Sequence, residues 1–278
     1  MGTSSFHYGP KRSPLLPDDF DDPGSGGSDS PLLPPEQLPD APPQEGDSLI
    51  EYQPDISWGG AKRTMGRFAS GNLNGGARKV ASAYVKAAGG ARNAKNASRS
   101  GIKTARNIIS FFGGISSTNV RTTLQNNDIQ YEGRSSSEVF DNIINVIAPT
   151  GSTREEAISR KAVIETFAEL FSTDGFDIDS LDSFNGDTLK SMLQIYIGKY
   201  IYISIIDAMG YSILKNSSNN PDRVIRIETE MRDYIKSVVD MQFRDKSFSN
   251  VDRLSTNEIT DITKDLFQHC FQVLEAQL

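Results

Sequence analysis

The sequence has few of the residues that build metal sites and covalent cross-links. Its one cysteine, Cys270, excludes an internal disulfide and is typical of a protein from a reducing compartment. The two histidines, His7 and His269, have no second histidine or cysteine at ligand spacing, which argues against a zinc site. We predict no bound metal and no cofactor.

Long apolar runs are also missing. The most apolar stretch, residues 193–211, is interrupted by Gly198, Lys199 and Asp207, so we expect a buried core helix there rather than a membrane span. The N-terminus lacks the apolar segment of a secretory signal. Phe6 stands where the myristoylation pattern needs serine or threonine. These absences predict a cytoplasmic protein that has no membrane partner.

Acidic residues are absent from one continuous part of the chain, and this absence defines three blocks. Residues 1–59 carry 2 basic and 11 acidic side chains, residues 60–127 carry 12 basic and none that is acidic, and residues 128–278 carry 15 and 25. The net charge of −7 therefore conceals a strong separation of charge. We predict three domains with these boundaries: an acidic tail, a basic docking segment (the basic block) and a helical bundle.

The tail, residues 1–59, is rich in proline, glycine, serine and aspartate. It offers too little apolar surface to offset the entropy cost of ordering, so we predict disorder. Pro-Leu-Leu-Pro occurs at Pro14 and again at Pro31, either as a pair of docking motifs or as a coincidence within a proline-rich linker. Methionine aminopeptidases need a small second residue, so Gly2 is expected to carry the free amine of the mature chain.

The basic block is rich in glycine and alanine. Glycine pairs beginning at Gly75, Gly89 and Gly113 are expected to divide it into short helices, because each glycine costs about 1 kcal/mol relative to alanine in a helix interior. Five cations recur at intervals of three and four residues, which places them on one face of a helix. We predict that they form a docking face: Arg92, Lys95, Arg99, Lys103 and Arg106.

Three interpretations of the basic block are open. It could bind nucleic acid through phosphate contacts. It could instead bind an acidic protein surface, including this chain's own acidic C-terminal part, or it could be a solvated linker. Aromatic side chains for base stacking are few and no DNA- or RNA-binding motif is present, so a protein contact is favoured over nucleic acid.

From residue 135 onward, apolar residues at helical spacing predict an all-α bundle of five helices. The longest, over about residues 187–214, is apolar nearly all round, as the central helix of a bundle is. Its β-branched residues 201–206 leave a strand as a weaker alternative. Pro221 stands at a helix start.

Helix starts in this part of the chain have typical capping residues. Ser135 opens the first helix. The patterns Ser152-x-x-Glu155 and Ser255-x-x-Glu258 are typical of capping boxes, in which a hydroxyl and a carboxylate each accept a backbone N–H. The predicted fold class is therefore all-α, with a C-terminal bundle preceded by a partly helical basic segment and a disordered tail.

No assembled catalytic group is evident. Residues 101–104, Gly-Ile-Lys-Thr, only approximate a phosphate loop, and no strand precedes them. His269 is adjacent to Cys270, but neighbouring helical residues point about 100° apart, and Cys270 falls on an apolar stripe. We predict no catalytic residue and a protein that is not an enzyme.

Several motifs, taken with the order of the blocks, resemble the QatB family, the small component of bacterial Qat anti-phage defence systems. The resemblance spans most of the chain and is weakest between about residues 18 and 57. This sequence has Tyr8 where the family commonly has glycine, and Leu16 where valine is usual. The motifs are Met1-Gly2-Thr3-Ser4, Gly9-Pro10, Pro14-Leu15-Leu16-Pro17, Arg67-Phe68-Ala69-Ser70 and Ala162-Val163-Ile164-Glu165-Thr166-Phe167.

The resemblance implies a non-enzymatic subunit with three companions: an ATPase (QatA), a QueC-like enzyme related to 7-cyano-7-deazaguanine synthase (QatC), and a TatD-like nuclease (QatD). Such a synthase activates a deazaguanine carboxylate with ATP and adds ammonia. In defence relatives a protein N-terminus attacks the activated carboxylate, giving a nucleobase–protein amide. Gly2 matches the acceptor position, and Thr3, Ser4 and Ser5 would be recognised beside it.

The resulting hypothesis is a substrate and adaptor that presents Gly2 for 7-deazaguanine conjugation while the rest of the chain docks partner subunits. One alternative is a nucleic-acid-binding adaptor that brings the TatD-like nuclease to phage DNA through the basic block. Another is a purely structural scaffold.

Overall fold

The computed structural model describes residues 57–171, 178–217, 220–244, 248 and 254–276, all within one compact unit. Eleven α-helices, one short 3-10 helix (Ile178–Ser183) and no strand occur in these ranges, which confirms the all-α prediction for them. The predicted disorder of the tail concerns residues that lie almost wholly outside them. The α-helices are α1 (Trp58–Ala69), α2 (Gly76–Ala87), α3 (Ala91–Ala97), α4 (Arg99–Ser117), α5 (Val120–Asn126), α6 (Ser136–Ile147), α7 (Arg154–Phe171), α8 (Gly186–Met209), α9 (Tyr211–Asn216), α10 (Pro221–Phe243) and α11 (Thr256–Ala276).

Helix α8 is the central helix, as its apolar character predicts. Helices α4, α7 and α10 pack along it, and the side chains of Tyr196, Ile197 and Ile201 are fully buried. The weaker strand alternative for residues 201–206 is wrong. The predicted single helix is also shorter than expected, because α8 ends at Met209 and the chain turns at Gly210 into α9.

Helices from both sides of residue 127 enclose one hydrophobic core. Helix α11 packs against α2, α3 and α4, and α10 packs against α2. Val80, Ile108 and Phe112 of the basic block are fully buried in this core. The change of charge at residue 127 therefore falls within a shared core, and the three-domain division stays a prediction.

Two of the three glycine pairs separate helices, as predicted. Gly75 precedes α2 and Gly76 is its first residue, with φ of 96° and 49°, and Gly89 and Gly90 precede α3 with φ of 88° and 90°, values that glycine adopts without steric cost. The third pair, Gly113 and Gly114, lies within α4, so that part of the prediction is wrong. Helix α5 packs closely here: a Cβ on Gly114 would stand 3.4 Å from the Thr123 side chain.

Helices α6 and α11 begin with the predicted hydroxyl caps. At α11 the Ser255 backbone N–H donates to the Glu258 carboxylate at 2.8 Å, and the Glu258 N–H donates to Ser255 Oγ at 3.3 Å. Ser135 and Glu138 form the same reciprocal pair at α6. Pro221 is the first residue of α10, as expected.

The capping box of α7 lies one residue later than predicted. Thr153, not Ser152, is the capping residue: its N–H donates to the Glu156 carboxylate at 3.0 Å and its Oγ1 accepts from the Glu156 N–H at 3.2 Å. Glu155 therefore does not cap α7, and its carboxylate instead accepts a hydrogen bond at the start of α4.

The helices of the basic block have no acidic residue in their first turns, and carboxylates from the C-terminal block occupy four of their N-termini. A negative charge there stabilises a helix by about 0.3–1 kcal/mol and accepts an N–H that has no partner within the helix. We call these carboxylates remote caps: Glu230 accepts from Ala77 of α2 (3.1 Å), Glu275 from Ala91 of α3 (2.9 Å), Glu155 from Ser100 of α4 (2.5 Å) and Asp182 from Val120 of α5 (2.6 Å).

The glycines next to the remote caps make room for them. A Cβ on Gly76 would collide with Glu230 Oε1, and one on Gly90 would stand 3.0 Å from Glu275 Oε1. One contact predicted for the basic block, with this chain's own acidic part, is thus present at the helix starts.

A buried polar cluster joins α4, α7 and α8 beside one remote cap. The Tyr196 hydroxyl donates to the Gly101 carbonyl at 3.1 Å and lies 2.8 Å from Ser159 Oγ. The Tyr200 hydroxyl donates to Glu155 at 3.2 Å, and its ring lies against Gly101, where a Cβ would be only 2.6 Å from it. Burial raises the pKa of both tyrosines far above the usual value, which keeps the hydroxyls neutral donors.

Replacing Glu155 by alanine is expected to lower the free energy of unfolding by about 1–3 kcal/mol, because the Ser100 N–H and the Tyr200 hydroxyl lose their shared acceptor. Glu165→Ala is the matched control, since the ion pairs of that carboxylate with described residues are solvent-accessible and 3.9 Å long, and its expected loss is about 0.5 kcal/mol or less. Urea unfolding followed by circular dichroism measures both. Equal losses for the two variants would contradict the capping role of Glu155.

The capping boxes of α6, α7 and α11 predict that the stability of the fold depends on pH. Hydrogen bonds lower the pKa of three capping glutamates: chiefly from the Ser135 backbone to Glu138, from the Thr153 hydroxyl to Glu156 and from the Ser255 hydroxyl to Glu258. A carboxyl group whose pKa is lower in the folded chain stabilises the fold above its unfolded pKa, and this contribution is lost as pH falls through the folded pKa.

We therefore expect the triple variant Glu138→Gln, Glu156→Gln, Glu258→Gln to unfold at lower urea than the wild type at neutral pH. The gap between the two urea midpoints should shrink below about pH 4, where the wild-type carboxylates are protonated. Midpoints measured at about pH 7 and about pH 3 test this. A gap that does not change with pH would show that these charges do not contribute.

Candidate functional site

Four of the five predicted docking cations line one surface groove of about 390 Å³, which we call the basic groove. Lys95 comes from α3, and Arg99, Lys103 and Arg106 come from α4. Arg92 is exposed on α3 but does not line the groove. The complete lining is Lys95, Asn96, Arg99, Ile102, Lys103, Arg106, Thr260 and Lys264.

The cations share a face although they lie on two helices, so the prediction of a single helix is wrong. Ser98 separates α3 from α4, with φ −92° and ψ 37°. The Ser98 hydroxyl donates to the Ala94 carbonyl at 2.9 Å, and the Ile102 N–H donates to the Ser98 carbonyl at 2.9 Å. These bonds bridge the break, so that the face formed by Lys95 continues into α4.

Helix α11 supplies a part of the groove that the sequence analysis missed. Thr260 and Lys264 lie one helical turn apart and line the groove with the cations of α3 and α4. They are the polar positions of a helix whose buried positions include Ile259 and Thr263. Their spacing shows that they share a helix face, but only the packing of α11 against α3 and α4 brings them to the cations.

The cations of the groove are largely free of ion pairs. No carboxylate of a described residue forms an ion pair with Lys95, Arg99, Lys103 or Arg106. Lys264 alone has such a partner, Asp261, at 3.5 Å on the exposed side of α11. The groove therefore presents five positive side chains and is suited to binding an anion.

One carboxylate next to the groove is already engaged elsewhere. Glu156 accepts hydrogen bonds from Thr153, which are the main causes of its lowered pKa, and the charge of Lys103 adds a smaller effect. The lining of the groove contains no carboxylate, thiol or histidine. Its lysine, arginine, threonine and asparagine side chains can bind an anion by charge and hydrogen bonding.

The other predicted site residues lie outside the described part of the chain. Gly2 as the modification acceptor, and Thr3, Ser4 and Ser5 as recognition positions, stay predictions. In the ranges that the structure describes, no three His, Cys, Asp or Glu side chains lie close enough to hold a metal. No helix in those ranges is both long and apolar enough to cross a membrane.

Cys270 is a core residue. Its side chain is fully buried in α11, whereas His269 is exposed on another face of the helix. Burial raises the pKa of the Cys270 thiol to about 12, so the reactive thiolate is scarce at neutral pH.

We expect Cys270 to react with Ellman's reagent at least about tenfold more slowly in the native protein than in urea-unfolded protein, because the thiol is enclosed and protonated. Absorbance of the released thionitrobenzoate measures both rates, with free cysteine in each buffer as the control. Complete reaction of native protein at the rate of free cysteine would contradict the buried position.

The family described as Qat anti-phage system associated protein QatB matches residues 89–274, well over half of the chain. The chain belongs to the QatB family. No curated protein and no solved structure matches it.

Membership of the QatB family confirms the resemblance and makes this protein a component of a Qat anti-phage system, with other Qat proteins as its partners. The matched range runs from just before α3 into α11, so every residue of the basic groove lies inside it. Gly2 lies outside the matched range.

Proposed function

We propose that this protein is the substrate and adaptor of its Qat system, and that the QueC-like enzyme QatC joins a 7-deazaguanine to its Gly2. The QatB family match over residues 89–274 supports this, together with Met1-Gly2-Thr3-Ser4 at the start of the sequence. In this proposal the tail carries the acceptor, and the helical body docks partner proteins, including the ATPase QatA and the TatD-like nuclease QatD. The assembly works in the cytoplasm.

The conjugation forms one amide bond. QatC activates the carboxyl group of 7-carboxy-7-deazaguanine with ATP, releasing pyrophosphate. The Gly2 nitrogen, exposed by removal of Met1, attacks the activated carbonyl carbon, AMP leaves, and the nitrogen loses a proton. An α-amine pKa of about 8 leaves a usable neutral fraction at cytosolic pH.

The residues at the start of the chain suit entry into an active-site tunnel. Glycine has no Cβ to obstruct the approach of its nitrogen to the activated carboxylate. Thr3, Ser4 and Ser5 are small and carry hydroxyls, which can donate and accept hydrogen bonds beside the acceptor. The protein itself catalyses no step in this proposal.

Co-expression with active QatC is expected to raise the intact mass of this protein by one 7-carboxy-7-deazaguanine less one water, with fragment ions that place the addition on Gly2. Gly2→Pro is expected to stay unmodified and to lose phage protection, because its secondary amine is hindered. Ser25→Pro is the matched control: it introduces the same residue elsewhere in the tail and should be modified and protective.

Two results would contradict the proposal. One is an unmodified Gly2 in protein isolated with active QatC and its substrates. The other is full phage protection by Gly2→Pro at wild-type expression.

A further inference from the structure

We propose that the basic groove binds a short acidic peptide segment of another Qat protein, with acidic residues at alternate positions. This inference rests on the proposed adaptor role, for which it names a docking surface and the chemistry of the partner.

The positive charge of the helical body is concentrated locally. Residues 57–278 contain 27 basic and 25 acidic side chains, so the body as a whole is almost neutral. Domains that bind nucleic acid through its backbone are usually basic overall or along an extended face. Here five cations from three helices converge on one groove, which matches a short acidic segment better than a long polyanion.

The lining of the groove also favours a peptide. It contains no aromatic side chain on which a nucleic-acid base could stack. Ile102 lies among the cations and offers an apolar contact to a side chain of the bound segment, and Asn96 offers an amide. A phosphate backbone would use the charges but would find no platform for its bases.

The spacing of Arg99 and Lys103 on α4 is close to that of carboxylates at alternate positions of an extended chain. At 1.5 Å per residue, Arg99 and Lys103 are about 6 Å apart along the helix axis, and Lys103 and Arg106 about 4.5 Å. Alternate residues of an extended peptide point to one side and are about 6.5–7 Å apart. Each arginine can hold a carboxylate with two parallel hydrogen bonds.

The groove is available to such a segment. Four of its cations form no ion pair with a described residue, so an incoming carboxylate displaces water and breaks no salt bridge there. Lys95 and Arg106 are partly buried, which strengthens their attraction for a carboxylate relative to that of fully exposed cations.

Zero-length cross-linking of the co-purified Qat proteins tests the proposal directly. A carbodiimide couples a lysine amine to a carboxylate that touches it, forming an amide with net loss of water. We expect links from Lys95, Lys103 or Lys264 to aspartate or glutamate of QatA, QatC or QatD. Links from these lysines only to carboxylates of this chain would overturn the proposal.

A matched pair of triple variants measures the affinity for the cross-linked partner. The first, which we call the groove variant, combines Arg99→Gln, Lys103→Gln and Arg106→Gln. It should weaken binding by about tenfold or more. Lys62→Gln, Lys79→Gln, Lys215→Gln removes three exposed cations outside the groove and should bind within about twofold of wild type. Thermal unfolding verifies that both are folded. Equal binding by the two triple variants would overturn the proposal.

Nucleic acid is the competing outcome. A 20-base-pair DNA duplex and a 20-nucleotide RNA, at physiological salt, serve as fluorescence-anisotropy probes. We expect weak binding that is the same for both triple variants. Tight binding lost only in the groove variant would overturn the proposal in favour of nucleic acid. The Gly2→Pro protein should keep the groove cross-links, so failure of the Gly2 chemistry and failure of the groove are distinguishable.

Discussion

The fold depends on hydrogen bonds from the helix N-termini of the basic block to carboxylates of the C-terminal block. A segment with no acidic residue cannot place a negative charge at the starts of its own helices. Remote caps such as Glu230 and Glu275 supply that charge, and Gly76 and Gly90 leave the space for them. Acidic residues that are separated from the basic block in the sequence thus contact its helix starts in the folded chain.

This arrangement also explains why a basic groove exists. Four acidic side chains of the C-terminal block act at helix starts of the basic block, where they accept backbone N–H groups. They are therefore not available to the lysines and arginines on the outer faces of α3 and α4. Lys95, Arg99, Lys103 and Arg106 consequently remain unpaired among the described residues and converge with Lys264.

The two parts to which we assign a function, the Gly2 acceptor and the basic groove, differ in how they are built. Gly2 needs only a free amine and small neighbours, which are properties of a few consecutive residues. The basic groove needs three helices at fixed positions, and those positions depend on the shared core and on Glu155 holding the start of α4. An adaptor with both parts can offer a substrate at one place and a specific docking surface at another.

The sequence by itself determined what depends on neighbours three or four residues apart: the all-α class, the central helix and the Ser255 capping box. Only the tertiary structure decided that Glu155 crosses to α4 while Thr153 caps α7, because both Ser152 and Thr153 can cap and the choice depends on a helix distant in sequence. It likewise decided that Lys264 joins the groove. Helical periodicity shows which residues share a face, but packing of the core determines which faces meet.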